Sequence, residues 1–211
     1  MKISNVFCEI TPLSSEDCFI IHERVKSTFS FPIHTHAEFE LNFIENAKGV
    51  QRIVGDSIET IDDLELCLIA NDKLEHGWMD GECTSKKIHE ITIHFHKDIF
   101  LQSLLGRKQF YSLSVMFENA KRGIIFSRPT IVKVKDRLEA LFSNKSGFHS
   151  VIELINILHE LSLDTDIRIL CNRSFTYENN ESESERIQKI IDYLNVNYPN
   201  KIILSDVAQH V

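Results

Sequence analysis

His34-Thr35-His36-Ala37-Glu38-Phe39-Glu40 sets two imidazoles and a carboxylate at positions of one parity. In an extended strand successive side chains alternate between faces, so His34, His36 and Glu40 point into the same space. A second stretch, Ile69-Ala70-Asn71-Asp72-Lys73-Leu74-Glu75-His76-Gly77-Trp78, adds a third imidazole and the only tryptophan. His76 has to enter that space from a strand on the opposite side. Three imidazoles and one carboxylate suit Zn, Fe, Mn, Ni or Cu with a coordination position left open. The same groups also serve without metal, as a polar ligand pocket or a hydrogen-bonded structural cluster, because a carbonyl or carboxylate satisfies a buried imidazole. Trp78 offers a flat face for a sugar or other ligand, or else an aromatic plug for one end of the fold. His94 and His96 repeat the His-x-His spacing, but they end a strand before Lys97-Asp98, and exposed imidazoles are expected there.

Outward from this cluster, the hydrophobic period changes once. Cys18 to Val25, Phe39 to Ile44, Gln51 to Val54, Leu64 to Ala70 and Ile88 to Phe95 are short runs rich in Ile, Val, Phe and Leu. Turn-prone clusters such as Asn46-Ala47-Lys48-Gly49, Gly55-Asp56-Ser57 and Asn71-Asp72 separate them, which predicts a small all-β barrel or sandwich. From Lys97 the period becomes helical, with candidate helices at Ile99 to Leu105, Ser112 to Ala120, Ile131 to Phe142 and Val151 to Leu163. Pro129 sits where a helix start tolerates proline. The last of these helices is apolar around more than a stripe and so requires burial on more than one side, against the core or against a second copy of the chain.

The acidic run Glu178 to Glu185 cannot bury itself and reads as a linker, with a solvated loop as the alternative. Ser182 and Glu185 fit a capping box for the helical pattern that follows, Ile187, Ile190, Ile191 and Leu194. Leu204-Ser205-Asp206-Val207-Ala208 then opens another helix with Ser205 as N-cap, and about two turns of it precede Val211.

These segments, in this order, resemble AraC-type transcription regulators. His34-x-His36-x-x-x-Glu40, Gly49 and the stretch from Ile69 to Trp78 are similar to the two characteristic segments of the cupin sensor domain at the N-terminus of that family. Asp62-Asp63 stands at the acidic turn where Gly-Asp is common, and Asn71-Asp72 where Pro is common. The terminal segment resembles the opening of the family's helix-turn-helix domain, in which the recognition helix comes next. The resemblance implies an α+β fold: a cupin-like antiparallel β-barrel (double-stranded β-helix) over 1–96, a helical dimerisation layer over 97–171, a linker over 172–184 and a partial helix-turn-helix over 185–211. It implies a small-molecule effector held by His34, His36, Glu40, His76 and Trp78, DNA as partner through the C-terminal domain, a homodimer, and no enzymatic activity. The competing implication is a metal-dependent cupin enzyme, a dioxygenase or isomerase, holding a divalent metal on His34, His36, Glu40 and His76. Otherwise no resident cofactor is expected.

Composition narrows the remaining classes. The 211 residues are 43% hydrophobic and 26% charged, ordinary for a globular protein. A net charge of −8 argues against these residues alone forming a nucleic-acid surface, since phosphate contacts need clustered Lys and Arg. No stretch approaches the roughly 18 apolar residues of a membrane span, so the cytoplasm is expected. Five cysteines without a C-x-x-C pair indicate free thiols rather than a disulfide framework or zinc ribbon. No phosphate-binding glycine loop, nucleophile elbow or Cys-His pair supports covalent catalysis.

Overall fold

The computed structural model describes residues 7–100, 102–143, 147–172, 193 and 206–207. The chain divides into two compact units, 1–175 and 176–211. In the second unit Tyr193, Asp206 and Val207 are helical. The remainder of the expected helix-turn-helix, and of the linker beyond Asn172, lies outside the described residues.

The first unit is α+β. Its strands are β1 (Phe7–Cys8), β2 (Phe19–Lys26), β3 (His34–Thr35), β4 (Phe39–Glu45), β5 (Gln51–Val54), β6 (Ser57–Thr60), β7 (Leu64–Ile69), β8 (His76–Met79), β9 (Ile88–Phe95), β10 (Ile124–Ile125) and β11 (Arg168–Ile169). Its helices are α1 (Gln102–Leu105), α2 (Tyr111–Ala120), α3 (Arg128–Ser143) and α4 (Phe148–Ser162). The strands form a five-stranded sheet ordered β1-β3-β8-β5-β6 and a six-stranded sheet ordered β11-β10-β7-β4-β9-β2. All pairings are antiparallel except β1 with β3. Among the described residues no ladder joins the two sheets, so the expected closed barrel is replaced by two separate sheets. Nor is the stretch 97–171 purely helical: it returns β10 and β11 to the edge of the six-stranded sheet.

Strand alternation creates two layers of different chemistry around the six-stranded sheet. Phe19 and Ile21 of β2, Leu41 and Phe43 of β4, Leu66 and Leu68 of β7, and Ile91, Ile93 and Phe95 of β9 share one face. They form a single core with Met116, Phe117, Val134, Leu138, Leu154, Ile157 and Leu158 of the helices. Truncating one such side chain to Ala removes about 2–5 kcal/mol. The opposite parity carries His22, Arg24 and Lys26 on β2, Glu40 and Asn42 on β4, and Glu90, Thr92 and His94 on β9, all lining one cavity. A second apolar cluster, including Ile44, Val54, Cys67, Ile69, Leu74 and Trp78, draws members from both sheets and packs them together.

Local chemistry explains the helical layer. Ser127 accepts the first backbone bond of α3 from Ile131 at 3.0 Å, and Asp164 holds the Ser127 backbone N–H at 2.7 Å and its hydroxyl at 3.1 Å. This capping arrangement ties the start of α3 to the chain just after α4. Helix α4 buries Leu154, Ile157, Leu158 and Leu161, while Phe148 and Ile152 remain exposed. The expected burial on several sides is therefore met in part by α2 and α3. At Gly49 the backbone has φ +97°, and a Cβ would lie 2.9 Å from Cys83 N, so only glycine fits this turn. All five cysteines are free.

Candidate functional site

The four residues singled out by spacing converge from both sheets. His34 lies in β3, His36 just beyond it, His76 in β8 and Glu40 in β4. One ligand atom from each lies within 4.8 Å of all the others. All are buried, with exposures of 6% for His34, 2% for His36, 2% for Glu40 and 0% for His76. β3 pairs with β8 at His34 opposite His76, which places these two rings side by side.

The backbone orients each of the three rings. The Nδ1 atoms of His34, His36 and His76 lie 2.9, 3.0 and 2.8 Å from the carbonyls of Pro32, Glu38 and Leu74. A carbonyl only accepts, so Nδ1 carries the proton in all three rings and Nε2 is turned to the shared space. There His36 Nε2 is 3.0 Å from Glu40 Oε2 and 3.1 Å from His76 Nε2. With Nδ1–H already donated to Glu38, His36 can donate from Nε2 only as an imidazolium. Burial alone lowers its affinity for a proton, but the Glu40 hydrogen bond and charge reverse this and raise the His36 pKa. Glu40 responds in kind. Burial raises its pKa, yet hydrogen bonds from His36 and His94, with the His76 ring 3.6 Å away, hold it well below the usual carboxylate range.

His34 behaves differently. Burial, then repulsion from His76, lowers its pKa to about 4. Its Nε2 stands 3.3 Å from Glu9 Oε2, and with a neutral ring that contact is not an ion pair. It sets a lone pair against a carboxylate. His34 and His76, with Nδ1–H tied to carbonyls and Nε2 turned inward, the Glu40 carboxylate, and His36 once an ion displaces its Nε2 proton would together fit the donor chemistry of a divalent metal. His34, His36, Glu40 and His76 are the residues that would hold one.

The fourth imidazole overturns an expectation. His94 was placed in solvent by its position near a strand end; it is instead 5% exposed, with Nε2 donating to Glu40 Oε2 at 3.0 Å. β9 is a central strand between β4 and β2, so neighbours cover His94 on both sides. His96 lies past the last ladder position and is only partly buried, 3.1 Å from the Ser14 carbonyl. The overlooked signal was the run Glu90, Thr92, His94 alternating with Ile91, Ile93 and Phe95, a polar face on an otherwise apolar strand. Glu9, from the N-terminal segment, carried no sequence signal.

Trp78 is 6% exposed and forms part of the cavity wall. Its indole N–H points to Glu65 Oε1 at 3.4 Å. Glu65 in turn pairs with Arg52, which is fully buried and also reaches Glu59 at 2.5 Å. Arg168 of β11 holds both oxygens of Glu59 at 2.6 Å. The cavity has a volume of about 420 Å³, within the usual span of small-molecule sites. Phe29, Phe31 and Trp78 supply its apolar surface, and Arg24 and Lys26 its cations, the latter 2.8 Å from Glu90. Burial lowers the Lys26 pKa despite that carboxylate.

No protein-family model matches the chain, and no curated protein matches it. Among solved structures, the apo form of a ToxT variant from Vibrio cholerae strain SCE256 aligns with 12% identity and a TM-score of 0.46, covering 92% of this chain and 70% of that one. Unsaturated fatty acid bound wild-type ToxT from the same strain aligns with 10% identity and a TM-score of 0.45, over 90% and 68% of the respective chains. ToxT from Vibrio cholerae bound to a naphthalenyl butenoic acid gives 10% and 0.40, over 92% and 71%. Scores of this size assign no function, which rests on the site itself.

Proposed function

We propose that the chain is the ligand-sensing and dimerisation part of an AraC-type, cytoplasmic transcription regulator and is not an enzyme. In this reading the two sheets are a cupin-like barrel left open, and a small-molecule effector enters between them. The helical layer relays its presence, and residues 185–211 belong to the helix-turn-helix that meets DNA. The observation that carries the reading is the cavity of about 420 Å³, on whose walls His34, Glu40, Trp78 and His94 meet. The motif order described above supports it. An effector shifts such a regulator only by its difference in affinity between the two arrangements. Exposed Phe148 and Ile152 on α4 are the surface on which a second copy would pack, and an elution volume matching one chain would end that part of the proposal.

One observation favours a second reading, a metal-dependent cupin enzyme. Three imidazoles oriented by carbonyls face one carboxylate, a set that would hold a divalent ion able to polarise a substrate oxygen. Elemental analysis and native mass spectrometry on the same tag-free preparation separate the two. A sensor acquires a small organic molecule at one per chain, released unchanged on denaturation, without stoichiometric metal. Stoichiometric metal lost on His36→Ala, together with turnover of the bound molecule, would establish the enzyme instead.

A further inference from the structure

Two buried acceptors on the cavity wall stand without a partner. Asn42 and His94 are 3% and 5% exposed and both line the cavity, yet Asn42 Oδ1 and His94 Nδ1 make no hydrogen bond. Each side chain is held by its other end. Asn42 Nδ2 donates to Thr92 Oγ1 at 3.2 Å, and His94 Nε2 donates to Glu40 Oε2 at 3.0 Å. With Nε2 giving its hydrogen to Glu40, Nδ1 is the ring nitrogen left to accept. Asn42 lies opposite Thr92 and His94 opposite Glu40, so the two are diagonal neighbours on adjacent strands, with Cα atoms roughly 7–8 Å apart. Buried polar atoms are almost always paired in folded proteins, and two unpaired acceptors side by side on a cavity wall call for donors from a ligand.

We propose that Asn42 Oδ1 and His94 Nδ1 form a subsite for a neutral polyhydroxylated ligand, two of whose hydroxyls donate to them. This rests on the reading of the cavity as a ligand site and adds the class of ligand. An ammonium at these two acceptors is disfavoured because the carboxylates on their own strands are already engaged, Glu40 by His36 and His94 and Glu90 by Lys26 and Arg24, while Glu9, the remaining carboxylate of the cavity wall, stands beside His34 of the other sheet. A buried cation needs a carboxylate of its own. An acyl chain is disfavoured because it would seal both acceptors away from any donor. The C–H faces of a polyol, by contrast, find Trp78, Phe29 and Phe31 on the same cavity.

The experiment is a thermal-shift and calorimetric comparison on residues 1–211 with three probe sets: pentoses, hexoses and inositol; oleate; and putrescine. A polyol raises the melting temperature and binds. Its analogues lacking one hydroxyl lose roughly 10- to 100-fold in affinity at two positions, as expected for a lost bond to a buried acceptor. Asn42→Leu, close in shape and without the acceptor, melts no lower than the parent and loses the polyol shift. A polyol shift that survives Asn42→Leu, or a deoxy series with no loss at any position, overturns the subsite. If oleate or putrescine alone binds, the subsite is wrong while the cavity remains a ligand site. If none of the three classes binds, this proposal is overturned and the sensor reading loses its support as well.

Discussion

Replacing Arg52 with Met tests the way the two sheets are held together beside the cavity. Arg52 belongs to β5 in one sheet and Glu65 to β7 in the other, and the pair is buried, at 0% and 6% exposure. Glu59, the other partner of Arg52, has a side chain 40% exposed and keeps Arg168. The loss therefore falls on Glu65. Removing one member of a buried ion pair costs about 3–5 kcal/mol because the remaining charge is stranded. Burial already raises the Glu65 pKa, with Arg52 opposing, so without Arg52 the carboxyl takes up a proton and the cost falls at the low end, about 3 kcal/mol. At roughly 2–4 °C per kcal/mol for a domain of this size, the melting temperature drops by about 6–12 °C. Adding Glu65→Gln removes the stranded charge and keeps an acceptor for the Trp78 indole N–H, so the double variant regains about half of the loss. Paired urea melts of the parent, both single variants and the double variant measure the coupling. A loss below about 1 kcal/mol for Arg52→Met, or a double variant less stable than that single one, would refute the argument.

Three further outcomes follow from particular contacts. Gly49→Ala forces a side chain into a positive-φ turn 2.9 Å from Cys83 N, and lowers stability by about 1–3 kcal/mol in chemical melts. Asp164 is pulled toward a higher pKa by burial but held below its ordinary value by hydrogen bonds from Ser127 and Asp166. Its contribution to the helical layer is therefore complete above the unfolded-state pKa near ~3.9 and disappears as pH falls through the lower folded value. Asp164→Asn should flatten the acid limb of a stability–pH curve below about pH 4 relative to the parent; an unchanged limb contradicts this. His94→Phe leaves Glu40 with one imidazole donor fewer and fills cavity volume, so it should abolish small-molecule binding while circular dichroism stays that of the parent fold. Retained binding would remove His94 from the site.

Much of this was legible in the sequence because the strongest signals were periodic. Gln51–Val54 and Ile88–Phe95 appear as strands with the expected bounds, and the four helical runs appear as α1 to α4 with ends moved by up to three residues. His34, His36, Glu40 and His76 do come together, but not through the parity of one strand. The chain passes from β3 to β4, in the other sheet, between His36 and Phe39, and His76 comes from β8 beside His34 rather than from the opposite side. What was not legible depends on neighbours in space. Burial of His94 follows from β9 lying between β4 and β2, a fact of sheet order rather than of local pattern. The two-residue strands β1, β3, β10 and β11 are too short to show a period, and they exist through their partners. Closure of a barrel likewise depends on which edges meet, and among the described residues no ladder joins the edges of the two sheets.

The account stands on a ligand entering the space between the two sheets, and Trp78 reports on that space directly. It is the only tryptophan in the chain and forms part of the cavity wall. Titrating the protein with fractionated small-molecule extract while following indole emission should give a saturable change at one ligand per chain. That change should be absent in Asn42→Leu. Emission indifferent to every fraction, from protein whose circular dichroism shows it folded, would contradict the account.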